Sequence, residues 1–203
     1  MHSQAIDEFV RNYAPGDAER LRFAWNGKHA DEFEDENQAM RLEVTAYVLE
    51  NPGLASVELI GDLFVTHSAW AREAWGSPRG FTELGSLLLT RGGHRALLQF
   101  GQAFTASFDT FGACHAMKLD PVLLRALEDQ CNEELGNPHL PESQRKSLDA
   151  SRELFQKLRA GTAGDGWATV PPGTPVSNIN VVGPAGLFWR KMVQRIKSVL
   201  GPR

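Results

Sequence analysis

Cysteine is rare in this chain: its 203 residues include only Cys114 and Cys131. Two thiols are too few for a disulfide framework, and they suit a reducing compartment. Cys114 precedes His115, but neither a Cys-x-x-Cys pair nor a clear fourth ligand accompanies them, so a zinc site is not expected. No stretch approaches the roughly 18 uninterrupted apolar residues of a bilayer-spanning helix. Alternating Val, Ile, Thr and aromatic residues are almost missing before position 168, which argues against a β-sheet body. Residues Met1 to Glu8 lack the basic start and apolar stretch of a secretion signal, so a cytoplasmic location is expected. Catalytic patterns are missing too. No Glu-x-x-His pair of the helical di-iron type occurs, and Gly92-Gly93 follows a helical pattern rather than a strand, unlike a phosphate loop. No metal or cofactor is expected, and recognition is a better expectation than catalysis.

Acidic residues are missing from one place only. Gly166 to Arg203 holds five basic side chains and no Asp or Glu, while the other 16 basic residues share Met1 to Asp165 with all 25 acidic ones. The body therefore carries a net charge of −9 and the tail +5. An acidic body lacks the broad basic surface of a nucleic-acid binder, so that function is not expected.

What is present is helical periodicity, with six or seven helices expected and an all-α, helical-bundle-like domain over residues 1–160. Two short opening helices fall around Ala5 to Tyr13 and Asp17 to Trp25, the second capped by Asp17. Gln38 to Glu50 follows, with Asn37 as its cap and Met40, Val44, Tyr47 and Val48 on one face. Leu54 to Trp75 has the widest apolar arc and reads as the central helix. After a shorter helix from Arg79 to Thr90, a second long helix is expected from Ala96 to Met117. There Phe100, Phe104, Phe108 and Phe111 would form one stripe, serving as core or as an interface between two copies. Asp120-Pro121 opens a helix that Gly136-Asn137-Pro138 closes, and a last body helix runs from Glu142 to Arg159.

Beyond this body, residues 161–186 read as a Gly/Pro-rich irregular arm, because ten of these 26 residues are Gly or Pro. Residues 187–203 read as a basic amphipathic helix, either docked on the acidic body or released from it. Its candidate binding residues are Phe188, Trp189, Arg190, Lys191, Met192, Arg195, Ile196 and Lys197. The apolar side could lie in the groove of a protein partner or in an anionic membrane surface, the latter giving a peripheral location.

Two further clusters are candidates within the body. Asp31, Glu32, Glu34, Asp35 and Glu36 read as a solvated acidic surface suited to a basic protein partner. His67 and His115 fall on the apolar faces of the two long helices, with Asp62 and Asp109 on the same helices. Together they suggest a pocket between residues 54–75 and 96–117, as an enzyme or ligand-binding protein would need, although core histidines are the simpler expectation. The leading expectation is a non-enzymatic adaptor, inhibitor or immunity-type factor.

Overall fold

Capping chemistry sets most of the observed boundaries. The computed structural model describes residues 4–29 and 32–163, and the described residues form eight α-helices with no strand ladder. α1 (Gln4–Arg11) buries Ile6, Phe9 and Val10. The next segment differs from expectation: in place of a helix over 17–25, a six-residue 3-10 turn runs from Pro15 to Arg20. Asp17 is not its N-cap residue but sits in its first turn, where the carboxylate receives the Ala14 N–H at 3.0 Å. Pro15 fixes the entry dihedral, and the chain then turns inward at the fully buried Leu21.

α2 (Gln38–Glu50) buries Val44 and Val48, as its periodicity predicts. Asn37 occupies the cap position, yet its amide donates to the carbonyls of Glu19 at 3.3 Å and Arg22 at 2.9 Å instead of capping the helix. α3 (Val57–Ala74) begins later than expected, because the Ser56 hydroxyl accepts the Leu59 N–H at 3.1 Å. It stops before Trp75, which takes a left-handed conformation (φ 56°, ψ 48°) and is 75% exposed. α3 is nonetheless central: Leu59, Ile60, Leu63 and Phe64 are completely buried, and it packs against α4 (Phe81–Gly92) and α5 (Leu97–Phe104).

The second long helix does not exist. A 3-10 turn at Gly93–Ala96 leads into α5, which ends at Phe104, and α6 (Phe108–Cys114) starts afresh. Hydroxyl groups cause the break by offering the backbone alternatives to the helical ladder. The Thr105 hydroxyl bonds back to the Gly101 carbonyl at 2.6 Å, Ser107 turns extended and caps Thr110 N–H at 3.1 Å, and Ser68 on α3 donates to the Ala103 carbonyl at 2.7 Å. The single Phe stripe is lost accordingly. Phe100 and Phe104 are fully buried and stacked at 5.3 Å, Phe111 stacks on Phe104 across the break at 5.4 Å, and Phe108 is 44% exposed.

α7 (Pro121–Leu135) and α8 (Glu142–Ala160) form an antiparallel hairpin that closes the unit ending at Ala160. Asp120 accepts the N–H groups of Val122 and Leu123 at 2.8 and 3.3 Å, with Pro121 at the first helical position, as the sequence indicates. α5 approaches α8 at Gly101, where a Cβ would lie 3.0 Å from the Ser151 hydroxyl and 3.1 Å from the Ser147 carbonyl oxygen. The core is therefore phenylalanine-rich: Phe64, Phe81, Phe100, Phe104 and Phe155 are all at most 1% exposed. Both cysteines are buried free thiols, and burial pushes the thiol of Cys114 well up and that of Cys131 up to about 12. Neither is poised as a nucleophile.

Candidate functional site

Between the first 3-10 turn and α2 the chain folds into a small two-stranded ribbon. Trp25 and Asp35 stand opposite one another as an isolated antiparallel pair. Asn26 N–H donates to the Glu34 carbonyl at 3.1 Å and Glu36 N–H to the Ala24 carbonyl at 3.3 Å. Gly27 supplies the positive φ of +77° needed to leave the first strand. The Trp25 indole N–H then donates to the Lys28 carbonyl at 2.7 Å, and the Asn26 amide to the Glu32 carbonyl at 2.7 Å. These bonds fix the ribbon's shape from within.

Period-two alternation gives the ribbon two faces. Phe23, Trp25, Phe33 and Asp35 share one face, the three rings half-buried and Asp35 buried, whereas Asn26, Glu34 and Glu36 are exposed on the other. On the aromatic face the three ring centroids lie 6.2 to 6.3 Å apart in every pairing, with interplanar angles of 10°, 23° and 32°. A three-layer stack would put its outer rings at twice the spacing of neighbours, so these near-parallel rings form a patch. Trp70 of α3 meets Phe33 edge-on at 6.1 Å, and His29 lies 4.8 Å from Trp25. Phe23, Trp25 and Phe33 each keep part of their surface in solvent.

Asp35 locks the ribbon to the body. The sequence suggests that it belongs to a solvated acidic surface; instead its side chain is 0% exposed and pairs with Arg41 of α2, itself 1% exposed. Its other oxygen accepts the N–H groups of Ala24 at 3.0 Å and Asn37 at 3.3 Å, while Arg41 also donates to the Leu21 carbonyl at 3.2 Å. A lone buried carboxylate would be costly, and the guanidinium with two backbone donors offsets that cost. The neighbouring acids remain outside. Glu32 is exposed and pairs with Lys28 at 2.7 Å, Glu34 and Glu36 are exposed, and Asp31 lies outside the described residues.

His67 sits beneath this lock. Its Nε2 shares a 2.8 Å hydrogen bond with the Thr45 hydroxyl of α2. Burial, reinforced by the Arg41 cation and only partly opposed by Asp35, lowers its pKa to about 3. The unfolded chain takes up this proton near pH 6.5, whereas the folded chain resists it down to about pH 3, so stability falls as pH drops through that window. Each tenfold difference in proton affinity corresponds to about 1.4 kcal/mol. His67→Gln is expected to flatten this part of the stability profile by a few kcal/mol. Urea titrations of both proteins between pH 7 and pH 4 check it, and parallel profiles would refute it.

The other suggested pocket residues serve separate local roles. His115 Nδ1 lies 2.8 Å from the Phe111 carbonyl, and burial holds its pKa below the usual histidine value. Asp62 accepts the Tyr13 hydroxyl at 2.6 Å, tying the end of α1 to α3. Asp109 lies in the first turn of α6, where partial burial raises its pKa. Among the described residues, no group of three or more His, Cys, Asp or Glu is placed to hold a metal. A shallow groove of about 380 Å³ lies between the end of α7 and α8, lined by residues including Leu135, Arg145 and Arg152. Its arginines are committed: Arg145 donates to the Leu135 and Asn137 carbonyls at 2.7 and 2.8 Å, and Arg152 pairs with Asp149.

The proposed tail contacts Phe188, Trp189, Arg190, Lys191, Met192, Arg195, Ile196 and Lys197 lie outside the described residues, as does most of the 161–186 arm. Among the described residues no helix is long and apolar enough to cross a membrane. The sequence reading missed Phe23, Trp25, Phe33, Trp70 and Arg41 as a group. A signal existed in Phe23-x-Trp25, Gly27 and Phe33-x-Asp35, two period-two segments flanking a glycine. Comparison of the chain with protein-family models, curated proteins and solved structures finds no match.

Proposed function

We propose that this is a non-enzymatic interaction protein, of adaptor, inhibitor or immunity type, that binds a cationic protein partner on the ribbon formed by residues 23–29 and 32–36. One observation carries this reading: a buried ion pair fixes a surface element whose exposed Glu34 and Glu36 have no cation at ion-pair distance among the described residues. Their charges are free to meet a partner, whereas Glu32 already has Lys28. The net −9 of Met1 to Asp165 adds a long-range field that speeds encounter with a basic partner. Holding the carboxylates in one arrangement lowers the ordering cost of binding.

Titrating the full chain with a lysine homopeptide at low and high salt tests the reading. Binding that weakens with salt is expected, and Glu34→Gln/Glu36→Gln should reduce it about tenfold, on the basis of roughly 0.5–1 kcal/mol per exposed charge pair. Glu133→Gln/Glu153→Gln makes the same change in net charge on exposed positions of α7 and α8 and should have little effect. Equal losses in the two double variants would reduce the interaction to overall charge and overturn the assignment to the ribbon.

A further inference from the structure

We infer that the ribbon selects arginine over lysine in its partner, binding an extended arginine-rich segment through the patch of Phe23, Trp25 and Phe33. This inference rests on the cationic-partner reading above and specifies the side chain recognised. The argument begins with ring orientation. The aromatic cages that hold alkylated ammonium groups surround the cation with rings at steep angles to one another. These three rings are instead inclined by only 10° to 32°, with centroids 6.2 to 6.3 Å apart. Near-parallel rings present their exposed parts at one inclination, which suits stacking of a planar cation, and guanidinium is planar, delocalised and more weakly hydrated than ammonium. The same chain provides a precedent: the Arg20 guanidinium lies over the Phe9 ring at 4.6 Å.

Alternation supplies the second part of the argument. Side chains of an extended peptide point to opposite sides at successive residues. A segment running along the edge of the ribbon can therefore direct one arginine against the solvent-exposed parts of Phe23, Trp25 and Phe33 and the next toward Glu34 and Glu36 on the opposite face. The edge at Trp25 is suited to such a neighbour. The flanking bonds from Asn26 and Glu36 make Trp25 and Asp35 a non-hydrogen-bonded pair, so the backbone N–H and C=O of Trp25 point away from the second strand. The aromatic side chains are half-buried, and the bonds from the Trp25 indole and Asn26 amide hold Lys28 and Glu32 against the first strand, so these side chains are organised before a ligand arrives.

The test compares arginine and lysine homopeptides of equal length with the full chain at one salt concentration, by isothermal titration calorimetry. About tenfold tighter binding of the arginine peptide is expected. Phe33→Leu and Trp25→Leu should bring it down to the lysine level while leaving lysine binding in place; Glu34→Gln/Glu36→Gln should weaken both peptides alike. Circular dichroism checks that each variant is folded, and Phe23→Leu provides a third ring replacement if Trp25→Leu loosens the ribbon. Equal affinities in the unaltered chain, or an arginine preference that survives loss of the rings, would overturn the inference while leaving the charge-based reading standing. If neither peptide binds, both fall.

Discussion

Replacing Asp35 by Ala is expected to cost about 3–5 kcal/mol of folding stability, the usual consequence of leaving a buried charge without its partner. Arg41 is completely enclosed, and the Asp35 carboxylate is its only acidic partner among the described residues. Its loss also leaves the N–H groups of Ala24 and Asn37 without their acceptor. The guanidinium must then stay uncompensated or draw in water by opening the ribbon, and either outcome is expensive. Because charge causes the loss, Asp35→Leu/Arg41→Met should recover much of it by replacing the ion pair with apolar groups of similar volume. Urea denaturation followed by far-UV circular dichroism measures both variants. A loss below about 1 kcal/mol for Asp35→Ala would mean that the pair is hydrated and contributes little.

Phe100→Ala is expected to cost a further 3–5 kcal/mol through a different mechanism, the cavity left by an aromatic ring in a close-packed core. Phe100 is 0% exposed and stacks on Phe64 of α3 at 5.5 Å, Phe104 of α5 at 5.3 Å and Phe155 of α8 at 5.9 Å. It thus joins three helices at one point. Neighbouring helices cannot easily close over the gap, because α5 already touches α8 at Gly101 and α4 touches Phe64 at Gly85, where a Cβ would lie 3.0 Å from the ring. Phe100→Leu keeps most of the volume and should cost less than half as much, about 1–2 kcal/mol. Thermal unfolding of the two variants separates the alternatives: equal costs would point to loss of ring stacking rather than to a cavity.

The sequence was most readable where one residue type has one physical use. Asp120 before Pro121 opens α7 because a carboxylate can take orphan N–H groups and proline has no N–H to lose at the first position. It was misleading where tertiary partners decide between local options. The segment from Ala96 to Met117 keeps helical periodicity throughout, yet Ser107 prefers to cap α6, and Ser68 from another helix bonds the carbonyl of Ala103 at the end of α5. Asp35 was hidden by its neighbours: it lies in an acidic run, and only pairing with Trp25 on one side and Arg41 on the other turns it inward. The expected environment of His67 was a core helix face, but its bond to Thr45 crosses from α3 to α2 and leaves no local signature.

The distribution of ring types has a spectroscopic consequence. The stacked core is made of phenylalanine, whereas the described tryptophans Trp25 and Trp70 lie at or beside the ribbon and Trp75 is exposed at the end of α3. Phenylalanine contributes almost nothing to emission excited at long wavelength, so intrinsic fluorescence from these residues reports on the ribbon and its surroundings more than on the core. Far-UV dichroism, by contrast, is dominated by helical backbone, which among the described residues means the eight helices. With Trp167 and Trp189, which lie outside the described residues, replaced by Phe, the two signals observe different parts of the molecule, and their coincidence or separation during acidification registers whether the ribbon comes apart together with the helical body or before it.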